Sequence, residues 1–317
     1  MQTDYDVIII GSGPAGLTAG IYTSRADLKT LCVSGRTWGG QLMQTTLVEN
    51  FPGFPEGIQG PELMANMRKQ AEKFGVTFVD EDVTKVEFGH TPFVVKAENK
   101  EYRSRAVIIA TGAEFNWLGL PSEQRLIGRG VSSCATCDAA FFRNKQVIVV
   151  GGGDAAMEEA LVLAKFASKV TVVHRRAEFR ASKIMQERVL HHEKIAVKWN
   201  SEITEVIGES KVEGVVFKNG EKMAVDGVFV AIGHSPMTNI FAGQVELDEK
   251  GFVKKINYGE VKNDKGKVIG AAFNMMTSVP GVFTAGDVHD LHYKQAITAA
   301  GYGCEAALEA EKWVTEV

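Results

Sequence analysis

The stretch Tyr5-Asp6-Val7-Ile8-Ile9-Ile10-Gly11-Ser12-Gly13-Pro14-Ala15-Gly16 decides the fold of the first part of the chain. Its apolar, β-branched run at residues 5–10 is typical of a buried parallel strand, and the pattern then predicts a helix at residues 14–26. A second strand at residues 30–34 completes a strand–helix–strand unit with a GxGxxG pattern at its first turn. Such glycines let the backbone approach a pyrophosphate at the positive end of the helix. We therefore predict that residues 11–16 bind a dinucleotide.

The same unit starts again in the middle of the chain. Residues 146–150 form another apolar strand, followed by a glycine-rich loop at 151–156, a helix to about residue 166 and a strand at 170–173. A single long Rossmann domain would not restart its first strand in mid-chain, so we predict an α/β fold with two Rossmann-like domains. In the second loop Ala156 replaces the third glycine, which the pattern tolerates. The nucleotide-binding residues predicted there are Gly151, Gly153, Asp154 and Ala155.

The residues after the second strand of each unit discriminate between nucleotides. NAD sites place an Asp or Glu there for the ribose hydroxyls. The second unit has His174-Arg175-Arg176 instead, followed by Arg180, and guanidinium groups can hold a 2′-phosphate in bidentate fashion. These residues favour NADPH over NADH, with an exposed basic turn as the alternative interpretation. The first unit has Ser34-Gly35 at this place, so its motif alone leaves its ligand open.

A cysteine pair, Cys134-Ala135-Thr136-Cys137-Asp138, lies between the two glycine-rich loops. The CxxC spacing lets two sulfurs meet across one helical turn and lowers the pKa of one thiol. Zinc sites of this type need two such pairs, so we expect no metal. Cys32 and Cys304 are interpreted as inert core thiols. The order of these motifs predicts electron transfer from a nicotinamide nucleotide through a flavin to a disulfide.

Length, charge and cysteine usage restrict the class of protein. The 317 residues suit two domains of ordinary size, and the net charge of −4 favours no nucleic-acid partner. The apolar runs are too short to span a bilayer, so we expect no membrane association. With no basic leader at its N-terminus and four cysteines, too few for a secreted disulfide scaffold, the chain is predicted to be cytoplasmic.

From residue 5 to Cys304, the chain resembles the low-molecular-weight thioredoxin reductases. Besides the cysteine motif, the resemblance rests on several segments in order along the chain: Gly39-Gly40-Gln41-Leu42, Glu49-Asn50-Phe51-Pro52-Gly53, His174-Arg175-Arg176, residues 231–236, Gly286-Asp287-Val288, Gln295-Ala296-Ile297-Thr298 and residues 301–304. It implies an FAD-binding domain of residues 1–113 and 244–317. A domain of residues 114–243, which binds NADPH and carries the CxxC pair, would be inserted into it.

The resemblance also implies residue roles. The FAD site would include residues beyond the first loop: Gly40, Gln41, Asn50, Gly286, Asp287, Gln295 and Ala296. Cys137 would lie nearer the flavin, Cys134 would attack the disulfide of the partner, and Asp138 would be the general acid, with capping of a helical turn as its alternative role. Ala139 and Lys294 depart from the family, where glycine and arginine are common.

The resemblance implies a thioredoxin as the partner and a homodimer as the assembly. The inserted domain would rotate between half-reactions about connections near residues 112–116 and 242–245. Arg129-Gly130 and Phe141-Phe142-Arg143 are candidate docking elements, although the two phenylalanines could equally be core residues.

Three other functions stay open at this point: a reductase of the same architecture for another acceptor, a dithiol oxidase, and a nucleotide-bound sensor without turnover. The three arginines weigh against the oxidase. The presence of both redox cysteines and Asp138 weighs against the sensor.

Overall fold

The computed structural model describes residues 4–255 and 273–316, and the chain divides into two compact units. One, here the discontinuous unit, comprises Met1–Glu114 and Ser235–Val317, and the other, the inserted unit, comprises Phe115–His234. The sequence analysis placed the second connection near residue 243. Residues 235–243 lie in the discontinuous unit because Phe241 is buried in its core and Thr238 donates a 2.7 Å hydrogen bond to the Gly251 carbonyl.

Elements are numbered in chain order through the whole molecule. The strands of the discontinuous unit are β1 Tyr5–Ile10, β2 Thr30–Val33, β3 Leu47–Val48, β4 Ile58–Gln59, β5 Thr77–Val79, β6 Val83–Glu87, β7 Phe93–Ala97, β8 Lys100–Ile109 and β19 Val282–Thr284. Its helices are α1 Pro14–Arg25, α2 Gly60–Lys73 and α7 Ala296–Glu316, with 3-10 turns at Gly40–Gln44, Asn239–Phe241 and Gly286–Val288.

The main sheet of the discontinuous unit has the order β5-β2-β1-β8-β7-β6, with β19 beside β8. Parallel pairing joins β1, β2, β5, β19 and the second half of β8. Antiparallel pairing joins β6, β7 and the first half of β8. The side chains of Val7–Ile10 are almost completely buried, as expected for a central strand covered on both faces. This arrangement places the loop at residues 11–16 at the carboxyl edge of the parallel strands.

The inserted unit repeats this plan on a smaller scale. Its strands are β10 Val131–Ser132, β11 Gln146–Val150, β12 Lys169–Val173, β13 Ile195–Lys198, β14 Ile203–Ile207, β15 Gly214–Phe217, β16 Lys222–Ala224 and β17 Gly227–Val230. Its helices are α3 Pro121–Arg125, α4 Ala135–Asp138, α5 Asp154–Ala164 and α6 Lys183–Leu190, with a 3-10 turn at Ala139–Phe142. A parallel sheet, β10-β17-β11-β12-β13, carries the loop at residues 151–156, and β14-β15-β16 form an antiparallel sheet. The remaining strands, β9 Ala113–Phe115 and β18 His234–Pro236, pair with each other.

The predicted α/β class with two Rossmann-like folds is confirmed. Two elements differ in length from the prediction. Helix α5 begins at Asp154, directly after Gly153 in its N-cap position, instead of at Ala156. The apolar run at residues 106–111 predicts a strand there, but β8 already begins at Lys100 because its first half pairs antiparallel with β7, a hairpin that the apolar pattern does not reveal. Within the described residues, no helix is long and apolar enough to cross a membrane.

Candidate active site

The cysteine pair of the inserted unit forms a disulfide. Cys134 and Cys137 are joined with their Cα atoms 5.3 Å apart, since Cys134 caps the single turn α4 and Cys137 lies at its far side. The backbone N–H of Cys137 donates to the Cys134 sulfur over 3.2 Å, and the N–H of Asp138 donates to the Cys134 carbonyl over 3.1 Å. The turn therefore holds the two sulfurs together and directs a backbone donor at one of them.

Asp138 ends this turn in a largely buried position. Its carboxylate accepts a 2.5 Å hydrogen bond from the hydroxyl of Ser132, and that hydroxyl in turn accepts the backbone N–H of Cys134 over 3.1 Å. Burial raises the pKa of Asp138, and the hydrogen bond from Ser132 partly offsets this rise. A carboxyl with a raised pKa beside a disulfide can deliver a proton to a departing sulfur. The sequence analysis did not identify Ser132, and no motif points to it.

A second carboxyl, the half-buried Glu159 of α5, lies under the same turn. It accepts the backbone N–H of Ala135, the residue that follows Cys134. Burial raises its pKa to about 7, and the neighbouring charge of Asp138 acts in the same direction. Sequence reasoning missed Glu159, although a signal was available. Glu159 falls at helical spacing among the buried Ala156, Ala160 and Leu163, on the apolar face of its helix.

The loop at residues 151–156 of the inserted unit is closed by the segment after β12. The carbonyl of Gly152 accepts the N–H of Arg180 over 2.7 Å, and a Cβ at Gly152 would collide with the ring of His174. Gly153, by contrast, has nothing within 4 Å of where a Cβ would stand. His174 thus supports the loop from below, while the backbone of Gly153 is open to a ligand.

The three predicted phosphate-binding arginines, Arg175, Arg176 and Arg180, are exposed beyond the end of β12. None of them forms an ion pair within residues 4–255 and 273–316. His174 is buried, and burial lowers its pKa. Of the other residues predicted here, Ala155 is exposed in the first turn of α5, and the carboxylate of Asp154 accepts both the N–H and the hydroxyl of Ser182. The region therefore presents three guanidinium groups that have no ion-pair partner among the described residues.

The loop at residues 11–16 of the discontinuous unit is packed more tightly. A Cβ at Gly16 would collide with the carbonyl of Gly11, whereas Gly13, the N-cap of α1, has nothing within 4 Å of where its Cβ would stand. The buried Ser12 hydroxyl donates to the Ser34 carbonyl over 3.1 Å and accepts the Gly39 N–H over 2.9 Å. The loop is thus fixed from behind and accessible at Gly13, and Pro14 occupies the first turn of α1.

Residues from distant parts of the chain surround this first loop. A Cβ at Gly40 would stand 3.4 Å from the Cα of Gly13, and one at Gly286 would stand 2.8 Å from the Cβ of Ala15. The amide of Asn50 donates to the side-chain oxygen of Gln295 over 3.4 Å. The side-chain amide of Gln41 donates to the Ala113 carbonyl. The structure therefore links Gly40 and Gly286 directly to the loop and joins Asn50 to Gln295, with Ala296 as the first residue of α7.

Asp287 is a largely buried carboxyl in the same unit. Its pKa is raised to about 6, first by burial and then by the charge of Asp290, while the charge of Lys294 partly offsets the rise. The Asp290 carboxylate accepts the backbone N–H groups of His292, Tyr293 and Lys294 over 2.8–2.9 Å. Lys294 is therefore held in a left-handed conformation with φ of 48° beside the predicted flavin-binding residues.

The structure distinguishes the two phenylalanines whose role the sequence left open, and it shows the burial of the two remaining cysteines. Phe142 is buried and packs against Phe229 with ring centroids 5.1 Å apart, whereas Phe141 is 42% exposed. Cys32 is fully buried, and burial raises the pKa of its thiol to about 12. Cys304 is half-buried on α7. Among the described residues, no group of three or more His, Cys, Asp or Glu side chains could hold a metal ion.

The comparisons with known proteins agree with this geometry. The family model described as pyridine nucleotide-disulphide oxidoreductase matches residues 5–303. The thioredoxin reductase of Mycolicibacterium smegmatis is 52% identical over 320 aligned positions, covering 99% of this chain and 98% of that protein. The bifunctional thioredoxin reductase/thioredoxin of Mycobacterium leprae is 49% identical over 99% of this chain and 67% of its own length. The structure of thioredoxin reductase from Giardia duodenalis superposes with a TM-score of 0.89, at 41% identity and 99% coverage of both chains.

These likenesses cover nearly the whole chain and include both glycine-rich loops and the dithiol. Membership implies the use of a flavin and a pyridine nucleotide together with a reactive disulfide. The chain belongs to the pyridine nucleotide-disulphide oxidoreductase family and, within it, to the thioredoxin reductases.

Proposed function

We propose that this enzyme passes electrons from NADPH through FAD to the Cys134–Cys137 disulfide and from there to the disulfide of a thioredoxin. The observation that carries the proposal is the Cys134–Cys137 disulfide, which lies beside a buried carboxyl. The two dinucleotide-type loops and the relatives named thioredoxin reductase support the nucleotide and the partner. The Mycobacterium leprae relative, whose name joins a thioredoxin to the reductase, supports the partner further.

The discontinuous unit fits FAD. Gly13 leaves open space beside the N-terminus of α1, where a pyrophosphate can approach backbone donors. In this proposal residues 11–16, Gly40, Gln41, Asn50, Gly286, Asp287, Gln295 and Ala296 hold the cofactor. A carboxyl such as Asp287, whose pKa burial raises to about 6, gains a hydrogen-bond partner when a polar group of the cofactor replaces water beside it. When bound, the flavin supplies the conversion between hydride transfer and thiol chemistry.

The inserted unit fits NADPH. Gly153 has nothing within 4 Å of where its Cβ would stand, at the N-terminus of α5. In the part of the chain that the structure describes, the exposed Arg175, Arg176 and Arg180 form no ion pair. Guanidinium groups bind a 2′-phosphate more strongly than a 2′-hydroxyl, so we propose NADPH as the preferred nucleotide. In this proposal the arginines supply the positive charge of the site. The conformation of the loop is set by Gly151, Asp154, Ala155 and His174.

The thiol chemistry follows from the turn that carries the cysteines. The N–H of Cys137 is directed at the Cys134 sulfur and stabilises negative charge there, so Cys134 is the thiolate that attacks the partner. Its attack forms a mixed disulfide and releases one partner sulfur. The Cys137 thiolate then attacks Cys134, re-forms the internal disulfide and releases the second partner sulfur. In this proposal Asp138 protonates a departing thiolate.

The remaining parts of the proposal concern partner and assembly. The exposed Phe141 offers an aromatic anchor close to the dithiol for a thioredoxin, whereas the buried Phe142 does not. We also propose a cytoplasmic homodimer, and rotation of the inserted unit between the two half-reactions, as the resemblance implies. An intramolecular cross-link between the units should stop turnover with thioredoxin, and full activity of the cross-linked enzyme would exclude the rotation.

The decisive experiment is an anaerobic titration of the purified flavoprotein with NADPH, followed by flavin absorbance. Uptake of about four electrons per chain is expected, since flavin and disulfide are each two-electron couples. Uptake of about two electrons would remove the disulfide from the electron path and overturn the proposal. NADH in place of NADPH tests the nucleotide preference in the same cuvette.

A further inference from the structure

Glu159 is a half-buried carboxyl that the proposed function does not use. It lies on α5, the helix that follows the nucleotide loop, and its carboxylate accepts the N–H of Ala135 in the turn that carries the disulfide. The neighbouring Glu158 points to solvent from the same helix. Of these two consecutive acids, one is therefore engaged with the dithiol turn and the other is an ordinary surface charge.

Two side-chain acceptors share the backbone donors of this short turn. The N–H of Ala135 is taken by Glu159, and the N–H of Cys137 is directed at the Cys134 sulfur over 3.2 Å. When two electrons reduce the disulfide, its S–S bond breaks and each sulfur takes up a proton unless it stays as a thiolate. A carboxylate one residue from Cys134 opposes that thiolate by like-charge repulsion in a poorly solvated place.

The charges around Glu159 do not cancel this repulsion. Asp138, on the turn packed against it, and Glu158, on its own helix, are both acidic. Within the described ranges, no ion pair involves Glu159. Burial raises its pKa to about 7, so the carboxyl changes charge in the physiological range. The negative charge beneath the turn therefore grows as the pH rises through neutrality.

Resting on the proposed function, we propose that Glu159 is a positioning residue of the dithiol, which fixes the turn through the Ala135 N–H and restrains ionisation of Cys134 in the reduced enzyme. The free reduced enzyme then keeps more of its Cys134 as the neutral thiol. Its consequence is protection from alkylation and oxidation while no partner is bound, because the thiolate is the reactive form.

The test measures the acidity of Cys134 in the flavin-loaded enzyme. In a Cys137→Ser background, the rate of iodoacetamide alkylation is followed against pH, and the modified peptide that carries Cys134 is quantified by mass spectrometry. Glu159→Gln keeps a hydrogen-bond acceptor for Ala135 and removes the charge, so the apparent pKa of Cys134 should fall by about one unit. Glu158→Gln, one residue away and exposed, is the matched control and should shift it by less than about a third of that.

An unchanged or higher pKa in Glu159→Gln, or an equal fall in Glu158→Gln, would overturn the inference. If Glu159→Gln does not fold, the parent enzyme decides the question. In the Cys137→Ser enzyme with Glu159 intact, the alkylation rate of Cys134 should then rise with pH more gradually than a single-proton titration, because ionisation of Glu159 opposes that of Cys134, and a simple single-proton curve overturns the inference. The thiols are generated with a phosphine in both experiments, so the result does not depend on electron flow from NADPH, which the titration above tests separately.

Discussion

The glycine-rich loops at residues 11–16 and 151–156 start from equivalent strands, but different neighbours close them. In the discontinuous unit, Gly40 and Gly286, far apart in sequence, press against the loop. In the inserted unit, the segment from His174 to Ser182 borders the loop, and a Cβ at Gly151 would collide with the carbonyl of Ala231. The loop proposed for FAD is thus bordered by residues from two distant parts of the chain, whereas the loop proposed for NADPH is bordered mainly by the segment that follows the next strand.

The arginines after the second strand differ in the same sense. Arg36, which follows Ser34-Gly35, hydrogen-bonds Glu98 over 2.5 Å and lies 3.8 Å from Asp82, so its charge is already compensated. Arg175 and Arg176 have no such partner among the ion pairs of the described residues. A basic residue after the second strand therefore indicates a phosphate site only when no acidic side chain already compensates its charge.

The largest expected effect is a loss of thioredoxin reduction, which needs the dithiol of the inserted unit, while flavin reduction persists. Cys137→Ser should lower the rate of thioredoxin reduction by about 10³-fold or more, because the internal disulfide cannot re-form. Flavin reduction by NADPH should persist, with electron uptake falling to about two per chain. Steady-state assays with thioredoxin and an anaerobic titration measure both. Cys304→Ser is the control with no expected loss, and thioredoxin reduction by the Cys137→Ser enzyme at a normal rate would contradict the relay.

The next effect concerns the proton that the inserted unit supplies. Asp138→Asn should slow thioredoxin reduction by about 10²-fold, the range of a lost general acid. Burial raises the pKa of Asp138, and the protonated form is the acid, so the parent rate should fall as the pH rises through that raised pKa. The asparagine variant should lack this limb in stopped-flow measurements over pH.

Ser132→Ala sharpens the same test. The Ser132 hydroxyl stabilises the charged form of Asp138, and its removal should raise the pKa of Asp138 and move the falling limb to higher pH. A limb that moves to lower pH, or that survives in Asp138→Asn, would assign the proton to another group.

A smaller effect tests the arginine comparison directly. Arg175→Ala with Arg176→Ala should raise the KM for NADPH by about 10–100-fold, the equivalent of one lost charge-assisted hydrogen-bond pair. The KM for NADH should change little, since no 2′-phosphate is present. Arg36→Ala is the matched control in the other unit, with both KM values unchanged. Equal losses with both nucleotides would mean that the arginines hold the loop and not the phosphate.

The smallest effect compares the open glycines of the two loops. Gly13→Ala and Gly153→Ala place a methyl group where nothing lies within 4 Å, so both variants should fold. A ligand that approaches this backbone should bind about tenfold more weakly for a cost of 1.4 kcal/mol. The first variant should weaken only FAD, measured by flavin release, and the second only NADPH. Gly16→Ala should instead destabilise the protein itself, because its Cβ would collide with the Gly11 carbonyl.

Local pattern identified the parts of the molecule that depend on neighbours in the chain. The strands β1 and β11 have the predicted bounds because apolar β-branched runs that end in glycine leave few alternatives. The Cys134–Cys137 disulfide was predictable too, because the CxxC spacing lets two sulfurs meet across one helical turn. The start of α5 and the length of β8 were predicted less well, since one depends on a cap and the other on pairing with β7.

The sequence by itself determined the two nucleotide-type units, the dithiol that lies between their glycine-rich loops along the chain, and the basic cluster after β12, because each consists of residues that are adjacent or one turn apart. Only the tertiary structure decided which carboxyls meet the dithiol, since Glu159 reaches Ala135 through the packing of α5 on α4. It also distinguished Arg36, which pairs with Glu98, from Arg175 and Arg176, which form no ion pair within the described residues, and it joined Asn50 to Gln295. Burial and pairing of charges depend on distances in space, which spacing along the chain does not contain.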